Sequence, residues 1–100
     1  MKKTFKLIHQ KIRYDRLIEA AKHDVKKYVK RERKKKLSEG VDFWDFDCKF
    51  GNTAEDGVQE IHLAEINKYI DRVKEQQLES FYLEILAKPG RRKKKSKLDE

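Results

Sequence analysis

A single cysteine, Cys48, excludes an internal disulfide and fits a reducing compartment. No apolar run approaches the roughly 18 residues of a membrane-spanning helix. The opening MKKTFKLIHQK has the charged end of a secretion signal without the apolar stretch that follows it in one, so the expected location is the cytoplasm. The four glycines form no phosphate-cradling loop, and His9, His23 and His62 have no zinc-ligand spacing with one cysteine. Nothing in the chain calls for a cofactor or assigns a catalytic residue.

What the chain has in quantity is charge. Of its 100 residues, 44% are charged and 37% hydrophobic, with a net charge of +8. A chain of this size builds one core, burying about two thirds of the surface its unfolded form exposes. The charge is segregated. Residues 22–36 hold nine Lys/Arg against two acids, and residues 88–100 hold seven against two. Residues 37–87 between them carry four basic and twelve acidic side chains. Two basic runs around an acidic middle argue for one polyanion-facing side rather than general stickiness.

The hydrophobic pattern supplies the elements. TFKLIH, residues 4–9, alternates as a first strand. From Tyr14 the apolar positions recur at three and four, through Leu17, Ile18, Ala21, Val25, Tyr28 and Val29. This predicts an amphipathic helix of about 20 residues whose wet face is basic, running toward Gly40 as terminator. FWDFDCKF, residues 43–50, alternates cleanly: Trp44, Phe46, Cys48 and Phe50 on one face, Phe43, Asp45, Asp47 and Lys49 on the other. Ile66, Tyr69, Ile70 and Val73 form a second helical stripe, but Val58 and Ile61 fall out of its phase. That break predicts a short strand over 58–63 and a helix from about Ala64. SFYLEILA, residues 80–87, alternates as a last strand, ended by Pro89-Gly90.

The order β-α-β-β-α-β predicts an α+β, ferredoxin-like two-layer sandwich over residues 1–88, its antiparallel sheet ordered 4-1-3-2. Trp44 is expected at the centre of the core. Residues 89–100 read as a flexible basic tail. The segments KKTFKLIH, VKKYVKRERKKKL, GVDFWDFDCKFG, AEINKYID and LESFYLEILAKPG together resemble a family of short, basic bacterial proteins catalogued only as a domain of unknown function. The resemblance covers nearly the whole chain and implies a small bacterial cytoplasmic protein. It implies no activity, cofactor or catalytic residue.

Three functional readings follow. The first is a non-catalytic module that binds nucleic acid, RNA above all, through phosphate contacts. Its residues are Lys26, Lys27, Lys30, Arg31, Arg33, Lys34, Lys35 and Lys36 at the helix end, and Arg91, Arg92, Lys93, Lys94 and Lys95 in the tail. The plainer account of such runs is a solvated helix and a solubilising tail. The second is a metal-dependent phosphoryl-transfer enzyme. Asp45 and Asp47, two apart on one strand, project together and His62 on the neighbouring strand is their nearest metal-binding companion, with Glu84 expected on the far edge. Against it, charged residues commonly decorate an exposed sheet face. The third is an adaptor for an acidic protein, pairing through residues 43–50 as an edge strand. Cys48, on the aromatic face of its strand, reads as a small buried hydrophobe.

Overall fold

A computed structural model, describing residues 1–55 and 57–91, closes the helical period that begins at Tyr14 into α1, Tyr14–Arg33. Ile18, Ala21, Val25 and Val29 are buried along one stripe of it. Asp15 in the first turn and Lys30, Arg31 and Arg33 in the last both complement the helix dipole. The helix stops at Arg33, well short of Gly40. Residues 34–42 form a loop in which Gly40 takes a φ of +82°, a conformation that glycine adopts without strain.

The strands are β1, Lys2–Lys6; β2, Phe43–Gly51; β3, Gln59–Ile61; and β4, Ser80–Gly90. After β3 a 3₁₀ turn, Leu63–Glu65, leads into α2, Ile66–Glu75, so the phase break at Val58 and Ile61 does mark a strand followed by a helix. The β-α-β-β-α-β element order and the α+β class are those expected. The strand order is not. In place of 4-1-3-2 the four-stranded antiparallel sheet runs β1-β4-β2-β3. β1 and β2 lie parallel to each other on either side of β4, and β3 and β4 on either side of β2. Two split βαβ units are therefore present, but interlocked through the opposite pair of strands.

Length explains the exchange. β2 and β4 pair over nine positions, from Phe43 opposite Gly90 to Gly51 opposite Tyr82, and both carry long apolar alternations that need covering. β1 buries only Phe5, and β3 has three residues. Short, charged strands suit edges, where they resist pairing with other chains. β4 also continues past the expected stop at Ala87, with Pro89 opposite Trp44. Met1 meets Ile85, and beyond that point β4 has only β2 beside it, an edge setting in which proline is tolerated.

The core lies between one sheet face and the helices. Phe81, Leu83 and Ile85 of β4 are fully buried, joined by Phe46, Cys48 and Phe50 of β2 and by Ile18, Ile66 and Ile70 of the helices. The rings of Phe5, Phe81 and Phe50 stack across three strands, with centroids 4.9 and 5.2 Å apart. Trp44 is not at the centre. It faces the expected side, but near the end of its strand, and is half-buried against the rim of the core. The Tyr14 hydroxyl lies 3.1 Å from the carbonyl of Val73 and 2.9 Å from that of Leu78, and Lys22 pairs with Asp71 at 2.6 Å. The helices are thus antiparallel, and the start of α2 lies beside the C-terminal half of α1.

Candidate nucleic-acid interface

All eight cations of the first basic run, Lys26 through Lys36, are exposed. The helix carries the first five, while Lys34, Lys35 and Lys36 lie beyond its last residue. Lys26, Lys30, Arg33 and Lys34 border an open groove of about 870 Å³ between α1 and the start of α2. Arg31 lies over the ring of Tyr28 and Arg33 over the ring of Phe46, each 5.6 Å from the centroid. These contacts hold two long side chains against the protein surface. Lys35 is neutralised, its ammonium 2.9 Å from the Glu32 carboxylate. The other seven have no ion-pair partner among the described residues.

The sheet brings Arg91, the first cation after β4, to the same pole. The backbone N–H of Asp42 donates to the carbonyl of Gly90 at 2.9 Å, so the end of β4 is fastened to the loop that follows α1. In that loop, a Cβ placed on Gly40 would stand 3.7 Å from Nη2 of Arg91. Arg91 is therefore brought to the loop of residues 34–42 that carries Lys34, Lys35 and Lys36, more than fifty positions away in the chain. The 4-1-3-2 order would have separated them, with β4 at one edge and β2 at the other. The remaining tail residues of the sequence reading, Arg92, Lys93, Lys94 and Lys95, lie outside the described residues.

The open sheet face has a different electrostatic character. Lys2, Glu84, Lys49 and Glu60 stand in register across all four strands, alternating in sign. One step further along, Lys88 Nζ is 2.8 Å from an Asp47 carboxylate oxygen and 4.0 Å from one of Asp45. Outward positions of the strands hold four lysines, Lys2, Lys6, Lys49 and Lys88, against four carboxylates, Asp45, Asp47, Glu60 and Glu84. The face is internally balanced. It also differs from the face expected from 4-1-3-2: Glu84 stands next to β2, directly opposite Lys49, rather than on a distant edge.

This answers how Asp45 and Asp47 are held. A lysine ammonium occupies the position between them that a metal reading gives to a cation, and the Lys88 pKa is raised, first by its hydrogen bond to Asp47. His62 borders the same depression as both aspartates. Its backbone N–H is bonded at 3.0 Å to the carboxylate of Glu65, which closes the entry to the 3₁₀ turn. Among the described residues no three His, Cys, Asp or Glu side chains stand where they would hold one metal ion. Cys48 is buried on the helix side, and burial, with Asp47 and Asp45 adding to it, pushes its thiol up to about 11. A thiol so protonated is a poor nucleophile at neutral pH.

As an edge for strand addition, β2 is largely spent. β4 pairs along its whole length and β3 covers Cys48–Phe50, leaving one side of Phe43–Asp47 open. No helix among the described residues is long and apolar enough to cross a membrane. No curated protein and no solved structure matches the chain. The sequence model of a family of unknown function, DUF6172, matches residues 1–96, and the chain belongs to that family.

Proposed function

We propose that this protein is a small, cytoplasmic, non-catalytic module that binds nucleic acid, with RNA the favoured ligand, through its basic pole. The observation that carries the reading is the convergence of Arg91 on the loop that continues the Lys26–Lys36 run. Seven exposed cations without an ion-pair partner among the described residues, and Arg91 at the start of a second basic run, lie toward one end of the fold, while the open sheet face balances its own charges. Each phosphate neutralised releases condensed counterions, so log affinity falls linearly with log salt. Seven contacts to a duplex correspond to a slope of about −6. The metal-dependent reading is weaker because Lys88 already serves Asp45 and Asp47. Placing the interface elsewhere than the sheet also sets it apart from modules that stack bases on central strands.

The test is binding of the full chain to labelled structured RNA across a salt series, alongside Lys30→Glu with Lys34→Glu. The expected outcome is sub-micromolar binding near 0.15 M salt, weakened at least tenfold by the two reversals while the melting temperature holds. Affinity that ignores the reversals would remove the basic pole from consideration.

A further inference from the structure

We infer that the basic pole takes a double helix, gripping its phosphates, and not a single strand. The inference rests on the nucleic-acid reading above and names the class of ligand. Proteins that hold single strands offer aromatic faces on which successive bases stack. At this pole the aromatic faces are already covered. The Tyr28 ring lies beneath Arg31, and its hydroxyl stands 3.2 Å from the Met1 nitrogen and 3.5 Å from the Ile85 carbonyl. Phe46 is 7% exposed, beneath Arg33. Trp44 is half-buried and its indole N–H is bonded to the Lys35 carbonyl. Phe43 is the exception at 37% exposure, but it lies on the charge-balanced face with its ring laid on Gly90. One ring cannot stack successive bases.

The neutral side chains that read base edges are missing from the run as well. Between Lys22 and Lys36 there is no Asn, Gln, Ser or Thr, so nearly every donor offered is a cation suited to phosphate. The helix sets the backbone spacing of those cations in advance. Lys26 and Lys30, four residues apart on the helix, stand about 6 Å apart along its axis, and Lys34 is the residue that caps its end. Buried Val25 and Val29 anchor that turn of α1 to the core. A duplex presents a phosphate charge about every 1.7 Å of its axis on an equally rigid frame. Docking then orders the lysine side chains but neither backbone, whereas a single strand must also be ordered to meet the same line of charges. The groove beside the line is a poor peptide site by comparison, since Val25 and Val29 on its floor are only 6% and 8% exposed.

The deciding experiment compares the full chain on a labelled RNA duplex of about 20 base pairs with each of its separated, unstructured strands, at about 0.15 M salt and across a salt series. The duplex should bind at least tenfold tighter than either strand. Lys30→Glu with Lys34→Glu should abolish that difference, and Phe43→Ala should leave duplex binding unchanged. Equal or tighter binding of a single strand, with loss in Phe43→Ala, overturns the duplex inference and leaves the nucleic-acid reading standing. Failure to bind either form overturns both.

Discussion

The indole N–H of Trp44 donates a hydrogen bond of 2.9 Å to the backbone carbonyl of Lys35, tying the start of β2 to the loop that leaves α1. The ring is half-buried and its hydrogen bond is to a loop, so its contribution is local. Trp44→Ala should cost about 2 kcal/mol, from partial burial and one hydrogen bond. Phe81→Ala, at a residue with 0% exposure stacked between two rings, should cost about 3–5 kcal/mol. Thermal unfolding of the two variants checks the ranking. Equal losses would place Trp44 in the core after all.

Two glycines separate a backbone clash from a side-chain clash. A Cβ on Gly51 would stand 2.9 Å from the Cα of Val58 and 3.0 Å from its nitrogen, so Gly51→Ala must move the chain between β2 and β3. A Cβ on Gly90 would stand 2.3 Å from a carbon of the Phe43 ring, which is exposed enough to swing away. Gly51→Ala should therefore destabilise by about 1–3 kcal/mol and Gly90→Ala by less. Melting curves in which Gly90→Ala is the more damaged would mean that Phe43 is fixed in place.

The aspartates yield a test that sets the leading reading against the enzymatic one. Asp45→Asn with Asp47→Asn removes two negative charges from the face beside the basic pole and frees Lys88. Polyanion binding should stay intact or tighten a few-fold, and Mg²⁺ or Mn²⁺ should not shift the melting temperature of the parent chain. A clear loss of binding in the double variant, or a metal-dependent shift that it abolishes, would return these residues to a functional role.

Cys48 predicts a pH dependence. Its thiol titrates higher in the folded chain, at about 11 against an ordinary 9.0, because burial disfavours the thiolate. A raised pKa gives stability that is complete below the unfolded value and is lost as pH climbs through the folded one. The parent chain should accordingly lose more stability between pH 9 and 11 than Cys48→Ala does. Denaturant titrations of both across that interval provide the comparison, and parallel curves would show that the thiol is not what titrates.

The sequence pattern carried the elements because periodicity is local. The stripe from Tyr14 to Val29 is the buried side of α1, and the alternation of Phe46, Cys48 and Phe50 against Asp45, Asp47 and Lys49 is the two faces of β2. Alternation tells side, not depth, so it puts Trp44 on the correct face and too near the centre. Strand adjacency is non-local, and the ferredoxin-like order followed from connectivity alone. A signal against it was present: β2 and β4 are the two longest alternations, and edges favour short strands such as the lysine-rich β1. Both basic runs were legible as composition. The approach of Arg91 to the loop after α1 was not, nor was Lys88 as the partner of Asp47, because both depend on β4 lying beside β2.

That adjacency also decides where the tail can be cut. Ending the chain at Lys88 would remove Pro89 from its place opposite Trp44 and Gly90 from its bond with Asp42, damaging the end of the sheet along with the charge. Ending it at Arg91 keeps β4 through Gly90. It removes five basic residues, Arg92, Lys93, Lys94, Lys95 and Lys97, with two acids, Asp99 and Glu100. The chain of residues 1–91 should melt as the parent does, bind structured RNA more weakly, and show a salt slope shallower by up to about 4. Weaker binding with an unchanged slope would mean that the tail does not touch phosphate, and the pole formed by Lys26–Lys36 and Arg91 would then hold the nucleic acid alone.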